Sequence, residues 1–236
     1  MLINRITPPS STTFLQADLD EAAKALSAIT RTIANLDPET REHCQRLAIR
    51  SKSFGEYLNL SELDIHTLMW GGYLHDVGKV GVPFDVLFKR GQLSSEEWEV
   101  MKQHVLLGEQ ICHSLFPMER VLLLIRHHHE HWDGSGYPDR LVGEQIPFLA
   151  RVIQILDIYD ALTHDRCYKP TYTHSRALEI IAEETAKGWY QPELVQEFFI
   201  FIAIERGDYG LETLFQRESL MEGMNGERCQ VSGDRW

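Results

Sequence analysis

The sequence lacks the long apolar run of a membrane-spanning helix and the apolar stretch of a signal peptide. Its longest uninterrupted apolar runs cover residues 121–125 and 198–204, far fewer than the roughly 20 residues that cross a bilayer. Residues 1–10 have neither the charged start nor the apolar stretch of a secretory signal. We therefore expect a cytoplasmic protein without a membrane span.

Cysteine and positive charge are both scarce. The four cysteines, at positions 44, 112, 167 and 229, form no C-x-x-C pair, which argues against a disulfide framework or a zinc ribbon. The 23 Lys and Arg residues are outnumbered by 35 Asp and Glu residues, for a formal charge of −12. This balance disfavours a protein that binds duplex nucleic acid through a broad basic face.

A packed core is expected, because 43% of the 236 residues are hydrophobic and 25% are charged. Apolar residues recur every three or four positions, and clear alternating strands are absent, so the pattern predicts an all-α domain. We expect an N-terminal segment at residues 1–36 with one amphipathic helix, and a domain at residues 37–205. Residues 206–236 form a C-terminal tail that either packs on the domain or is loosely held.

Local signals predict where the helices begin. Asp37 and Ser61 are suitable N-cap residues, as is Ser94. Pro147 opens a further apolar helix. The predicted helices cover residues 18–35, 37–58, 61–76, 94–105, 118–129, 147–162, 175–187 and 192–205. Between the fifth and sixth of these lies a stretch at residues 133–138 that is dense in turn-forming residues.

Histidine is the unusual component, since all 11 histidines fall between His43 and His174. Glu39 and His43 are four apart on a predicted helix and share a face, so both side chains could reach one metal. An exposed helical pair is the alternative. His75 and Asp76 stand at a predicted helix end, where the carboxylate could bridge two cations and the imidazole bind one of them. A core histidine beside a capping Asp is the alternative there.

A second group of histidines occupies residues 127–131, with one glutamate among them. Packing several neutral imidazoles together is costly without a metal or anions, so some of them should coordinate something. Periodicity alone does not say which. His104, taken by itself, is better explained as a structural residue. The H-E-x-x-H spacing of a metalloprotease is absent from the sequence.

Two carboxylates interrupt an apolar helix at Asp157 and Asp160. Three residues apart, they share a face, and a buried carboxylate requires a metal, an arginine or a hydrogen-bond network. The alternative is a pair of exposed Asp residues, with Arg151 and Arg166 adding charge nearby.

Together these motifs resemble the HD-GYP family of cyclic dinucleotide phosphodiesterases, over roughly residues 37–203. The motifs are H-D-V-G-K at residues 75–79, H-H-E at 128–130, D-G-S-G-Y-P at 133–138, D-I-Y-D-A-L at 157–162 and R-C-Y-K at 166–169. The resemblance implies an HD-superfamily helical bundle around two or three divalent ions, iron or manganese. The metal ligands that it implies are His75, Asp76, His104, His128, His129 and Asp157, joined by Glu39 and His43 where a third metal is held.

The resemblance also implies roles around the metals. Lys79 would lie beside the substrate phosphate and act with His75 and Asp76 in catalysis, while His127 and His131 become flanking residues. The residues implied to contact the cyclic dinucleotide are Tyr137, Arg166 and Lys169, with Lys79. The chain departs from the family pattern at His164 and Cys167, where small residues or proline are common.

The expected function is metal-dependent hydrolysis of cyclic di-GMP to the linear dinucleotide pGpG, with a second cleavage to GMP left open. Paired cations reduce the repulsion between the anionic substrate and its nucleophile, and they neutralise the acidic residues of the site. One alternative is a weakly catalytic cyclic-dinucleotide sensor that signals through a partner. Another is a phosphodiesterase for a mixed GMP–AMP dinucleotide. The N-terminal helix is a candidate contact for a homodimer or a signalling partner.

Overall fold

The computed structural model describes the backbone of residues 38–115, 119–164 and 171–207. Within these ranges it contains helices and no β-strand, so the predicted all-α class is confirmed. None of these helices combines the length and apolarity that crossing a membrane requires. The helices are α1 (Pro38–Tyr57), α2 (Glu62–Leu74), α3 (Phe84–Leu87), α4 (Ser95–Lys102), α5 (His104–Leu115), α6 (Glu119–His127), α7 (Phe148–Thr163), α8 (His174–Ala186) and α9 (Pro192–Arg206).

The predicted helix starts agree with the observed caps. Ser61 precedes α2, and its side chain accepts a hydrogen bond from the backbone N–H of Asp64. Ser94 forms a capping box with Glu97 at the start of α4. These side chains satisfy N–H groups that have no partner inside the helix. The N-terminal helix predicted at residues 18–35 and most of the C-terminal tail lie outside the described residues.

Two predicted boundaries were wrong. The long helix expected across residues 94–105 is two helices, α4 and α5, which are separated at Gln103. Helix α5 packs closely against the 3₁₀ turn Val77–Gly81. A Cβ atom on Gly78 would lie 1.9 Å from the His104 carbonyl oxygen, so this approach requires glycine.

The second error concerns the helix predicted over residues 118–129, which ends at His127. The chain turns there, and the N–H of Glu130 donates to the carbonyl of His127 over 3.1 Å. His128 and His129 therefore lie in the turn that follows the helix.

Helix α7 lies at the centre of the fold and is buried along most of its length. It contacts α1, α2, α6 and α8. Helix α7 takes part in the apolar core. There the ring centroids of Phe54 and Tyr159 lie 5.5 and 5.2 Å from the ring centroid of Phe198. Elsewhere along α7, Asp157 and Asp160 are buried as well. The same helix thus completes an apolar core and carries carboxylates into the interior.

Candidate metal centre

Seven side chains from separate parts of the chain meet in the interior, and we call this group the metal centre. Helix α1 contributes one histidine, the segment after α2 a His-Asp pair, α5 its first residue, the segment after α6 two histidines, and α7 one carboxylate. Six of these side chains are buried, and the seventh, His129, is half-buried. The members are His43, His75, Asp76, His104, His128, His129 and Asp157.

The two oxygens of Asp76 face different imidazoles. Its Oδ2 lies 3.2 Å from Nε2 of His75, and its Oδ1 lies 3.5 Å from Nε2 of His104. Lys79, on the following 3₁₀ turn, donates to Oδ2 over 2.6 Å. A carboxylate placed in this way between two histidines has the arrangement needed to bridge two cations.

Backbone carbonyls orient three of the imidazoles. Nδ1 of His75 lies 3.0 Å from the carbonyl of the residue three positions earlier, and the same contact measures 2.8 Å for His104 and 2.7 Å for His128. When Nδ1 donates its proton to a carbonyl, Nε2 is left as a free electron pair suited to a metal.

Two buried imidazole nitrogens without hydrogen-bond partners indicate whether a metal fits the site. The Nε2 atoms of His104 and His128 are buried and make no hydrogen bond to any described residue. A buried polar atom without a partner costs roughly 1–3 kcal/mol, and the two imidazoles lie with centroids 5.5 Å apart. A bound cation would satisfy both nitrogens, so the residues present fit a metal centre.

Burial also favours the neutral form of three imidazoles, which is the form that binds a metal. It lowers the pKa of His104 to about 4 and that of His128 to about 3, and it lowers the pKa of His129 well below the ordinary range. Burial alone would raise the pKa of Asp76, but the charge of Lys79 and the nearby histidines holds it well below its usual value. The three imidazoles are therefore neutral and the carboxylate ionised at neutral pH, as metal ligands must be.

The ligand atoms form three overlapping groups. Within each group the nitrogen and oxygen atoms lie within 4.8 Å of one another. His128 belongs to the first two groups and His75 to the last two, so the groups follow one another through the interior. The groups are His104–His128–His129, His75–Asp76–His128 and His43–His75–Asp157. The arrangement could accommodate adjacent divalent cations with nitrogen and oxygen ligands.

His43 is held from two sides. Its Nδ1 lies 2.7 Å from Oδ2 of Asp160, and its Nε2 lies 3.0 Å from Oδ1 of Asp157. Burial works against protonation of His43, but hydrogen bonds to these two carboxylates raise its pKa to about 9. Asp160 is itself held by Arg46, which donates through Nε and Nη2 over 2.9 and 2.8 Å.

The loop at residues 133–138 covers one side of the metal centre. The ring of Tyr137 stacks on His129 with centroids 4.9 Å apart, and its backbone N–H donates to the His129 carbonyl. Gly136 passes so near the backbone that an added Cβ would lie 2.2 Å from the amide nitrogen of His131. Only glycine allows this approach, which puts Tyr137 beside the metal centre.

The structure thus brings most of the predicted site residues together. One region holds the six ligands implied for a two-metal centre, together with His43, Lys79 and Tyr137. The described residues do not include Arg166, Cys167 or Lys169, and the side chain of Glu39 is not described either. His164 is described, and its Nδ1 lies 3.1 Å from Oδ1 of Asp160.

Four neighbours of the site were missed or left open by sequence reasoning. Asp160 binds an arginine and a histidine, which settles the alternatives raised for it. Its partner Arg46 lies three residues after His43 on α1, and that spacing on one helix face was an available signal. The ring centroid of Trp98 lies 6.2 Å from that of Tyr137, and Nζ of Lys102 lies 5.8 Å from the Tyr137 centroid. No local sequence signal pairs α4 with the loop.

Comparison with known proteins identifies the family. The family model described as "HD domain" matches residues 27–194. A cyclic di-GMP phosphodiesterase of Vibrio cholerae is 37% identical over 206 residues, covering 78% of this chain and 41% of its own length. A 3'3'-cGAMP-specific phosphodiesterase of the same organism is 34% identical, covering 77% of this chain and 35% of its own length. The chain therefore spans less than half of either relative.

A solved structure agrees with the fold. An HDG"Y"P protein from Bdellovibrio bacteriovorus superposes with a TM-score of 0.56 at 22% sequence identity, covering 74% of this chain and 56% of that chain. At this level of identity the match concerns the fold alone. With the family model, the relatives and the order of the motifs in agreement, the chain belongs to the HD domain family and to its HD-GYP group.

Proposed function

We propose that this chain is a metal-dependent phosphodiesterase that hydrolyses cyclic di-GMP to the linear dinucleotide pGpG and onward to GMP. The observation that supports this most directly is the pair of buried, unpartnered Nε2 atoms of His104 and His128 beside the loop that carries Tyr137. The V. cholerae relative with 37% identity is named a cyclic di-GMP phosphodiesterase. We assign the substrate and the reaction to this chain from that similarity and from the chemistry of the site.

The proposed cofactors are two divalent ions, iron or manganese, with a third where Glu39 and His43 take part. Imidazole and carboxylate ligands suit these ions. The first two ions would be held by His75, Asp76, His104, His128, His129 and Asp157. When bound, the cations supply Lewis acidity to the phosphodiester and make hydroxide available near neutral pH.

The side chains around the ions would orient the substrate. Lys79 is one-quarter exposed and donates to Asp76, so its ammonium group is placed to pair with a phosphoryl oxygen. Tyr137 is fixed against His129 and offers its ring or its hydroxyl to a base or phosphate. Arg166 and Lys169 remain proposed contacts to the cyclic dinucleotide.

A mixed dinucleotide is the second candidate substrate. The observation that favours it is the V. cholerae relative with 34% identity, which is named a 3'3'-cGAMP-specific phosphodiesterase. Both substrates present the same phosphodiester chemistry, and they differ in one base. Discrimination between them would come from contacts to the bases, so both substrates belong in the same assay.

The assay uses the full chain, loaded anaerobically with ferrous iron or manganese, with metal content measured and products separated by chromatography. We expect pGpG or GMP from cyclic di-GMP and no product from a His75→Ala/Asp76→Ala variant. His113→Ala is the matched control, because His113 is exposed on α5, and it should keep full activity. Metal-loaded protein that binds cyclic di-GMP without turnover would support the sensor alternative instead. Turnover of 3'3'-cGAMP alone would select the mixed substrate.

The proposed third metal has a test of its own. Glu39→Ala should weaken metal loading or the conversion of pGpG to GMP more than it weakens capture of cyclic di-GMP, because only the third position uses Glu39. The measurement is metal content together with the rates of the two cleavage steps. Equal losses in substrate binding and in both steps would contradict the assignment of Glu39.

We also propose that the N-terminal segment mediates a homodimer or a contact with a signalling partner. An amphipathic stripe at residues 18–35 supports this. Light scattering of the full chain, compared with a chain that begins at residue 37, measures the effect on mass. Equal masses for the two would contradict the dimer.

A further inference from the structure

A second cluster of potential ligands lies behind the loop, where α6 ends. It consists of His127, Glu130 and Asp139. His127 is the last residue of α6, and the other two precede and follow the segment that carries Tyr137. None of the three belongs to the metal-centre groups found among the described residues. His128, although adjacent to His127, bonds through Nδ1 to Ile125 and belongs to the metal centre.

The imidazole of His127 points into this cluster without a hydrogen-bond partner. Its side chain is 8% exposed, and its Nδ1 makes no hydrogen bond within the part of the chain that the structure describes. The nearest carboxylate oxygens are Oε1 of Glu130 at 3.8 Å and Oδ2 of Asp139 at 3.6 Å, beyond hydrogen-bonding distance. His131, on the same segment, differs because its Nδ1 lies 2.8 Å from the hydroxyl of Ser135.

The spacing of the three atoms suits a small transition-metal ion. Tetrahedral zinc with bonds of about 2.0–2.2 Å separates its ligands by roughly 3.3–3.6 Å, close to the distances around His127 Nδ1. Each carboxylate oxygen already accepts one hydrogen bond, from the N–H of Asp139 to Glu130 over 2.7 Å and from Arg126 Nε to Asp139 over 2.6 Å. A carboxylate oxygen has two acceptor sites, so each retains one for a metal.

The charges favour a cation as well. Arg126 pairs with two carboxylates, Glu109 and Asp139, and Glu130 adds a third carboxylate beside His127. Against the single guanidinium, these carboxylates leave a formal excess of two negative charges. Glu130 is fully buried, and the carboxyl end of α6 adds partial negative charge. A divalent cation would neutralise the group.

We propose that His127, Glu130 and Asp139 form a peripheral site for one divalent transition-metal ion such as zinc, separate from the metal centre. The three protein ligands leave a position for water. A metal here joins the end of α6 to both sides of the segment that carries Tyr137, since Glu130 also accepts the backbone N–H groups of Asp139 and Leu141. The site is structural, and it does not depend on the reaction proposed above.

The test is a count of zinc bound to the full chain after dialysis against buffered zinc. His127→Gln and Asp139→Asn should each bind one equivalent fewer than the wild-type chain, and they should lose the zinc-dependent protection of the amides of Asp139 and Leu141 from hydrogen exchange. His131→Gln is the matched control and should bind the wild-type amount. Two variants are used so that a folding defect in one does not decide the result.

The same comparison is repeated in the His75→Ala/Asp76→Ala background, where the metal centre is damaged. The loss of one equivalent should persist there, because the peripheral site has its own ligands. Equal zinc contents in the wild type and both variants would overturn the proposal and assign the neutralisation of the carboxylates to Arg126 alone. A loss in His131→Gln as well, or a loss that disappears in the damaged background, would also overturn it.

Discussion

The apolar core and the metal centre pack their rings in nearly the same way. Phe54 and Phe198 meet edge to face with centroids 5.5 Å apart, and His75 and His128 do so at 5.1 Å. The difference lies in the nitrogens. Phenyl rings are satisfied by contact with other apolar atoms, whereas a buried imidazole nitrogen requires a partner. The apolar core is satisfied by its own contacts, whereas the metal centre holds buried nitrogens that a cation would satisfy.

The largest expected effect tests the apolar core. Phe198→Ala should lower the free energy of unfolding by about 3–5 kcal/mol, because it removes a fully buried ring and leaves a cavity among packed neighbours. Denaturant unfolding measures this, and the metal content of the folded fraction should not change. Phe84→Ala is the control, since Phe84 is 68% exposed, and it should change stability little. A large loss of metal from folded Phe198→Ala would show that the two regions are not independent.

The next effect tests the metal centre. Asp76→Asn should reduce the rate of cyclic di-GMP hydrolysis roughly 10²–10³-fold, because the variant loses the charge that faces both His75 and His104. The measurements are the rate at saturating substrate and the number of metals bound. The control is Asp85→Asn, an exposed carboxylate on α3, which should behave as wild type. Unchanged metal content with unchanged rate would remove Asp76 from the site.

A smaller effect is expected one step away from the ligands. Asp160→Asn should weaken metal binding at the His43 position about 10–100-fold, because Asp160 fixes the orientation of the imidazole through a 2.7 Å contact. Metal titration measures the affinity. Glu56→Gln on the exposed face of α1 serves as the control. Equal affinities for Asp160→Asn and wild type would mean that Asp157 alone orients His43.

The smallest expected effect is on how stability depends on pH, which differs between the metal centre and the apolar core. In ion-free protein the pKa of His43 is raised to about 9, so its contribution to stability is complete below pH 6.5 and is lost as the pH rises toward 9. The pKa values of His104 and His128 are lowered to about 4 and 3, so stability also falls as the pH drops below 6.5. Stability should therefore be greatest near pH 6.5.

Unfolding of chelator-treated protein across this range measures the pH dependence. The alkaline decline should disappear in His43→Gln and remain in Phe198→Ala, because the apolar core carries no titrating group of this kind. An alkaline decline of the same size in His43→Gln would assign it to another group.

Much of the fold was predictable because helix signals are local. Ser61 and Ser94 cap helices through residues only three positions away, so the caps could be read from short segments. The break at Gln103 was not predictable, since no Gly or Pro marks it in the sequence. The end of α6 at His127 likewise has no Gly or Pro beside it.

The candidate site divides in the same way. The residue types, their order and the resemblance to the HD-GYP family could be read from the amino-acid sequence alone, because those are properties of short motifs. The folded arrangement was needed to show which nitrogens point inward, that Asp160 binds Arg46 across 114 positions, and that His127 points toward Glu130 and Asp139. Contacts between distant residues are set by how the helices pack, and no local pattern encodes that packing.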